Sequence, residues 1–319
     1  MPIRVAVLDD YQGVAHGFGP WETLAPETEI TYLHDHMARD GVVSALLAGY
    51  EVVVAMRERT PFTAERLAAL SSLRLLVTTG MGNASIDMEA ARKLGITVCG
   101  TGSLPSPTAE LAWGLIIALQ RNLVEEDRRI REGGWQRTIG PELAGRTLGI
   151  VGLGKLGRHV ARVAQAFEME VIAWSEHLTA DAAAEAGAEA VGFDELLRRA
   201  DVLTIHTRLS DRTRGLIGAR ELGLMKDTAI LVNTSRGPIV DEDDLLAALH
   251  AGTIAGAALD VYAKEPLPLD HPLRKAPRTL LSPHLGYVTT GTYEVFYRDA
   301  VEDIAAWLRG EPVRVLNGA

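Results

Sequence analysis

Apolar and polar positions along this chain switch repeatedly between two periods. Short, nearly continuous apolar runs stand at Ile3–Leu8, Glu29–Leu33, Val52–Ala55, Leu73–Thr78 and Ile96–Cys99. They are too short for helices and suit strands buried on both faces. Amphipathic segments lie between them at Val42–Leu47, Ala64–Leu70 and Met88–Leu94. The last follows Asp87, whose short carboxylate suits a helix N-cap. Such alternation predicts a parallel sheet covered by helices on both faces. A second series begins at Thr147, with strands predicted at Thr147–Val151, Glu170–Trp174, Val202–Ile205, Thr228–Val232, Ile254–Leu259 and Thr279–Leu281. Helical spacing marks Lys155–Phe167, Ala180–Ala186, Phe193–Arg199, Asp241–His250 and Thr292–Arg309. The pattern therefore predicts two doubly wound α/β units.

Gly102–Pro107, with two prolines among small residues, reads as the crossover between them. After it, one long helix is expected over Thr108–Arg131. Its stretch Leu111–Leu119 is apolar nearly all round and must be covered on several sides, within its own unit or at a subunit interface. The closing helix carries Val295, Phe296, Val301, Ile304, Ala305, Trp307 and Leu308 as a stripe needing a partner surface. Its return to the first unit would make the chain cross twice.

One turn interrupts the second series with chemistry attached. The apolar run ending at Val151 leads into Gly152-Leu153-Gly154-Lys155-Leu156-Gly157, and a helical pattern follows at once. Strand, G-x-G-x-x-G turn and helix in that order form the dinucleotide-binding fingerprint. Gly152 permits the tight turn, Gly154 lets backbone approach a pyrophosphate, and Gly157 lets helix pack on strand; the N–H groups of that helix then face the anion. The first unit has no such turn: Asp9-Asp10-Tyr11-Gln12-Gly13 follows its first strand. That unit is expected to serve a substrate instead.

Composition narrows the partners. With 319 residues, 47% of them hydrophobic and 23% charged, the chain has ample material for two soluble cores. A formal charge of −10 argues against nucleic acid and anionic membrane surfaces. The one cysteine, Cys99, lies in an apolar run, forms no internal disulfide or cysteine-rich metal site, and reads as an inert core thiol. The chain opens directly into a strand, with no leader and no apolar stretch of membrane-spanning length, so a reducing cytoplasm is expected.

In open parallel sheets, ligands bind beyond the carboxyl ends of the strands. Reading the residues just past each predicted strand of the second unit gives the glycine turn, then Ser175 and Glu176, then His206 and Thr207. Asn233, Thr234, Ser235, Arg236 and Gly237 follow the fourth strand; Asp260 and Glu265 follow the fifth, and His284 the sixth. An arginine, a glutamate and a histidine on one edge are the ingredients of a carboxylate clamp and an acid/base pair. No metal site is expected. In the first unit, Met56 and Arg57 follow one strand, and Thr79-Gly80-Met81-Gly82-Asn83 follows another as a candidate anion nest of backbone N–H groups.

At these residues the chain resembles the D-isomer-specific 2-hydroxyacid dehydrogenase family. Val232-Asn233-Thr234-Ser235-Arg236-Gly237, Leu259-Asp260-Val261-Tyr262-Ala263-Lys264-Glu265-Pro266 and Ser282-Pro283-His284-Leu285-Gly286 look like its three signatures, behind the glycine turn. The resemblance implies a flavodoxin-like substrate (catalytic) domain over 1–103 and 287–319, and an NAD(P)-binding Rossmann domain over 104–286. It implies NAD(P)-dependent reduction of 2-keto acids or oxidation of D-2-hydroxy acids, in a homodimer whose active site lies between the domains.

The residue types suit that chemistry. Arg236, fork-shaped and permanently cationic, would hold the substrate carboxylate. His284 would be the general acid in reduction and the base in oxidation. Glu265 would bond the other ring nitrogen, fixing the tautomer and favouring imidazolium by its charge; formate dehydrogenases of the superfamily carry glutamine there. The resemblance assigns cofactor contacts to Thr108, Gly152, Gly154, Lys155, Leu156, Gly157, Ser175, Glu176, His206, Thr207, Thr234, Ser235, Asp260 and Gly286. Substrate contacts are expected from Arg57, Met81, Gly82 and Tyr287, the last replacing a small residue and either narrowing the pocket or simply packing beside it.

At the end of the second strand, where NAD specificity rests on an acid accepting from the ribose hydroxyls, stands neutral Ser175 with Glu176 beside it. Glu176 favours NAD; NADP stays open, with Arg208 as a substitute cation. Two other readings share the scaffold. A phosphoglycerate dehydrogenase would need cations for the phosphate and normally carries an added regulatory domain, and an NAD(H)-sensing binding protein would bind cofactor without consuming it.

Overall fold

A computed structural model describes residues 1–36 and 40–318. The chain forms two compact units, Met1–Leu104 with Thr289–Ala319, and Pro105–Val288. The first unit holds β1 (Ile3–Val7), β2 (Thr28–Tyr32), β3 (Val52–Ala55), β4 (Leu75–Thr78) and β5 (Thr97–Gly100). The second holds β6 (Thr147–Val151), β7 (Glu170–Trp174), β8 (Glu189–Ala190), β9 (Val202–Ile205), β10 (Ile230–Asn233), β11 (Gly256–Leu259) and β12 (Thr279–Leu281).

In the first unit the strand order is β2-β1-β3-β4-β5, all parallel. This is the flavodoxin-like order. One core packs Leu8, Val53, Phe62, Leu67, Leu76 and Val98. The helix Met88–Lys93 starts where Asp87 accepts the Ala90 N–H at 2.8 Å. The chain re-enters this unit through the helix Thr290–Leu308, which buries Phe296, Val301 and Ile304 as expected and also Tyr293 and Tyr297. That helix buries two acids as well. Asp299 accepts from the Gly102 N–H at 2.8 Å, and Asp303 faces Arg314 at 3.0 Å.

In the second unit the order is β12-β11-β10-β9-β6-β7-β8, again all parallel. β6 thus lies between β7 and β9, where the order reverses, and ligands of open sheets bind at such a switch point. One sheet face packs Val151, Ile172, Leu203, Leu231 and Leu259. The other packs Leu148, Ile150 and Val232 under Trp113, Ile116, Val160 and Ala164. The apolar helix is therefore covered inside its own unit.

The long helix expected over Thr108–Arg131 is two helices, Ser106–Gln120 and Leu123–Arg131. Asn122 breaks it at φ +52, a left-handed conformation that asparagine tolerates better than most residues. The second piece buries no residue. β8 goes unpredicted because two residues are too few to establish a period, and the helix Ala219–Leu224 because it buries Leu222 alone and so shows no apolar stripe.

Candidate active site

The glycine turn is built as its three glycines require. Gly152 has φ +100, and a Cβ there would lie 2.7 Å from the Thr207 backbone nitrogen. A Cβ at Gly157 would meet the Gly152 carbonyl oxygen at 2.3 Å, so only glycine lets the helix Lys155–Ala166 sit this close to β6. Gly154 faces open space and is the N-cap of that helix without any side-chain cap. No acidic residue stands in the first turn. Its N–H groups, with the positive end of the helix dipole, are available to a pyrophosphate. Lys155 and Leu156 form that first turn.

The neighbouring strand ends fit the rest of a dinucleotide. Beyond β9, the His206 ring has Nε2 on the Thr204 hydroxyl at 2.9 Å, while its Nδ1 is buried without a hydrogen-bond partner among the described residues. Burial pushes this imidazole down to about 4, so it is neutral near pH 7. Beyond β10, the Thr234 hydroxyl is likewise buried and unpartnered among the described residues. Buried polar groups are normally satisfied, so two orphans around a glycine turn mark a polar ligand's place. The donor set suits a nicotinamide dinucleotide. Ser235 differs: its hydroxyl donates to the Thr207 carbonyl and is engaged within the chain.

Arg236, Glu265 and His284 follow the adjacent strands β10, β11 and β12. The Asn233 side chain shapes the first of these loops, accepting from Ser235 N at 3.0 Å and donating to Arg236 O at 3.0 Å. A Cβ at Gly237 would lie 2.0 Å from the Tyr262 carbonyl carbon, so that loop presses directly on the one bearing Glu265. Glu265 Oε1 accepts the Tyr262 N–H at 2.9 Å, and Oε2 lies 2.6 Å from His284 Nδ1. His284 sits at φ +54, an unusual conformation for a non-glycine residue and one that clusters at functional sites. The Tyr287 ring stands edge-on to its imidazole, centroids 5.4 Å apart.

Asp260 is wholly buried. Its oxygens accept from the Ser282 hydroxyl at 2.5 Å, Leu285 N at 2.8 Å and Gly286 N at 2.9 Å. Burial raises its pKa and these hydrogen bonds oppose the rise. Asp260 thereby fastens both sides of the His284 loop to β11. Thr108 completes the fastening by donating to the Gly286 carbonyl at 2.8 Å.

At the end of β7, the Ser175 hydroxyl accepts the Leu153 N–H at 3.0 Å, tying strand end to glycine turn. Glu176 forms an ion pair with Arg212, a residue that no motif singles out.

On the first unit's sheet, Arg57 follows β3 at φ +51, and its Nη1 donates to the Thr79 carbonyl at 3.2 Å. A Cβ at Gly80 would overlap that guanidinium, 1.9 Å from Nη1. Met81 is exposed and Gly82 has open space around it. The anion nest expected here is reduced, because the Gly80 N–H already donates to the Thr101 hydroxyl at 2.8 Å.

Comparison with known proteins agrees with this geometry. Residues 113–286 match the family described as D-isomer specific 2-hydroxyacid dehydrogenase, NAD binding domain. The chain is 42% identical over 262 residues to a glyoxylate reductase of Aeropyrum pernix, covering 79% of this chain and 78% of that protein. It is 39% identical to a D-3-phosphoglycerate dehydrogenase of Archaeoglobus fulgidus, across 83% of this chain and 51% of that protein. A phosphoglycerate oxidoreductase from Vibrio cholerae superposes with a TM-score of 0.92 at 35% identity, covering 97% of this chain and all of that one. The chain belongs to the D-isomer-specific 2-hydroxyacid dehydrogenase family, and its chemistry is NAD(P)-linked oxidoreduction of 2-hydroxy and 2-keto acids.

Proposed function

We propose that this enzyme interconverts a small 2-keto acid and the corresponding D-2-hydroxy acid, with His284 exchanging the proton and Arg236 holding the substrate carboxylate. The 2.6 Å contact between His284 Nδ1 and Glu265 Oε2 carries the reading. A carboxylate only accepts, so Nδ1 keeps its hydrogen and Nε2 is the nitrogen left to meet substrate. When bound, the reduced dinucleotide supplies the hydride that arrives at C2. His284 delivers its Nε2 proton to the oxygen on C2, completing the alcohol, and Glu265 stabilises the imidazolium before that transfer. Arg236 clamps the carboxylate bidentately and fixes the face of the carbonyl presented. Asp260 and Thr108 hold the His284 loop, while Tyr287, edge-on to the imidazole, recognises the rest of the substrate.

Glyoxylate is the substrate to try first, given the names of the relatives. The test mixes purified enzyme with NADH or NADPH and glyoxylate, hydroxypyruvate, pyruvate, 3-phosphohydroxypyruvate, and branched-chain or aromatic 2-keto acids, following nicotinamide oxidation. Turnover with at least one is expected; binding of cofactor with no consumption across the panel would contradict the reading.

A homodimer is part of the proposal. Exposed apolar side chains gather along 123–139 of the second unit, including Trp135 at 72% and Ile139 at 98%. A reducing cytoplasm also suits the chain: its one thiol, Cys99, is buried and pushed up to about 12 by that burial. No helix among the described residues is long and apolar enough to cross a membrane.

A further inference from the structure

Beyond β6 the glycine turn occupies the centre of the sheet's carboxyl edge, flanked by the loops that follow β7 and β9. Arg212 comes from the β9 side and Glu176 from the β7 side, and their ion pair joins those loops across that edge. The end of the second strand of such a fold is where the adenosine ribose binds, and the group there reads its 2′ position. Ser175 is neutral and already accepts from Leu153 N, so it neither repels a 2′-phosphate nor takes the place of an acid. Glu176 is the acid next in line. Its charge is met by Arg212 on one side and by His177 Nε2 at 3.9 Å on the other. Arg208, exposed on the same loop as Arg212, makes no ion pair among the described residues.

We propose that Arg212, assisted by Arg208, is the ligand for the 2′-phosphate of NADP(H), and that Glu176 competes for it and receives the ribose hydroxyls of NAD(H). The enzyme then accepts both cofactors, and this pair sets their ratio. Both side chains are exposed, Arg212 at 70% and Glu176 at 48%, so the pair is weakly held and easily exchanged. A 2′-phosphate carries about −1.5 to −2 charges against the single charge of Glu176, and a guanidinium takes phosphate bidentately. Arg212 therefore turns from Glu176 to phosphate when NADP(H) arrives, and the freed Glu176 adds repulsion. That opposition is what keeps NAD(H) competitive.

The inference rests on the dinucleotide lying along the glycine turn, and its test separates the two. Dissociation constants for NADH and NADPH are measured by nicotinamide fluorescence on the full chain, with 5′-AMP and 2′,5′-ADP as competitors. The wild type should bind both cofactors. Arg212→Gln should weaken NADPH and 2′,5′-ADP about tenfold while leaving NADH within about twofold. Glu176→Gln should weaken NADH and tighten NADPH. NADPH affinity unchanged in Arg212→Gln, with NADH binding intact, would overturn the inference alone; a wild type that binds neither cofactor would overturn the placement on the glycine turn as well.

Discussion

His284 Nδ1 and Glu265 Oε2 lie 2.6 Å apart, and the second oxygen of that carboxylate holds the Tyr262 N–H at 2.9 Å. Glu265 is thus fixed by backbone before it fixes the imidazole. Replacing it frees the ring to rotate and to choose its tautomer. Glu265→Ala should lower kcat by about 10²-fold or more, with NADH affinity unchanged by fluorescence titration. Glu265→Gln keeps an acceptor without the charge and should fall between. Wild-type kcat in Glu265→Ala would refute the positioning role.

Asp260 acts on the same imidazole from further back. Asp260→Ala strands the Leu285 and Gly286 N–H groups and the Ser282 hydroxyl. Buried donors left unpaired cost about 1–3 kcal/mol each. Urea unfolding should therefore show a loss of a few kcal/mol, and kcat should drop as the His284 loop loosens. A variant as stable as the wild type would show that the loop is held by something else.

Arg236 should tolerate no other cation. Arg236→Lys keeps the charge but loses the planar fork, so the keto acid is held in the wrong attitude. We expect kcat/KM for the best 2-keto acid to fall by about 10²-fold, with higher KM and lower kcat together. An effect confined to KM would mean that the arginine binds substrate without orienting it.

Asp303 gives a pH dependence whose sign can be worked out. It is fully buried, with Oδ1 on Arg314 at 3.0 Å and Oδ2 unpartnered among the described residues. Burial raises its pKa to about 7 and Arg314 offsets only part of the rise. In the unfolded chain the value is about 3.9. The folded state thus holds the proton more tightly, so the stability it contributes is full below about pH 4 and is lost as pH climbs through about 7. Asp303→Asn removes that titration. The difference in unfolding free energy, wild type minus Asp303→Asn, should decline over this window, and a flat difference would contradict the assignment.

Much of the fold is readable from periodicity, because strands buried on both faces leave uninterrupted apolar runs. β3, β6, β7, β9 and β12 fall on the expected residues, and the other predicted strands shift by one or two residues at one end or both. The site's membership follows from one rule, reading the residues just past each run, and that places Arg236, Glu265 and His284 on neighbouring strands. The break at Asn122 is invisible to periodicity, since one left-handed residue leaves the apolar count unchanged. The Arg212–Glu176 pair is hidden for another reason: the loop after β9 brings the arginine past the intervening strand β6, and no spacing rule describes that. Asp260 stands inside one of the family signatures, yet its use of both oxygens on the His284 loop depends on the fold bringing β11 and β12 together, which no local pattern records.

The most direct measurement is the turnover of His284→Ala with NADH and the best 2-keto acid, beside its affinity for NADH. If Nε2 of His284 carries the proton, kcat should fall by about 10²- to 10⁴-fold while the dissociation constant for NADH stays near the wild-type value. Wild-type turnover in that variant would contradict the account.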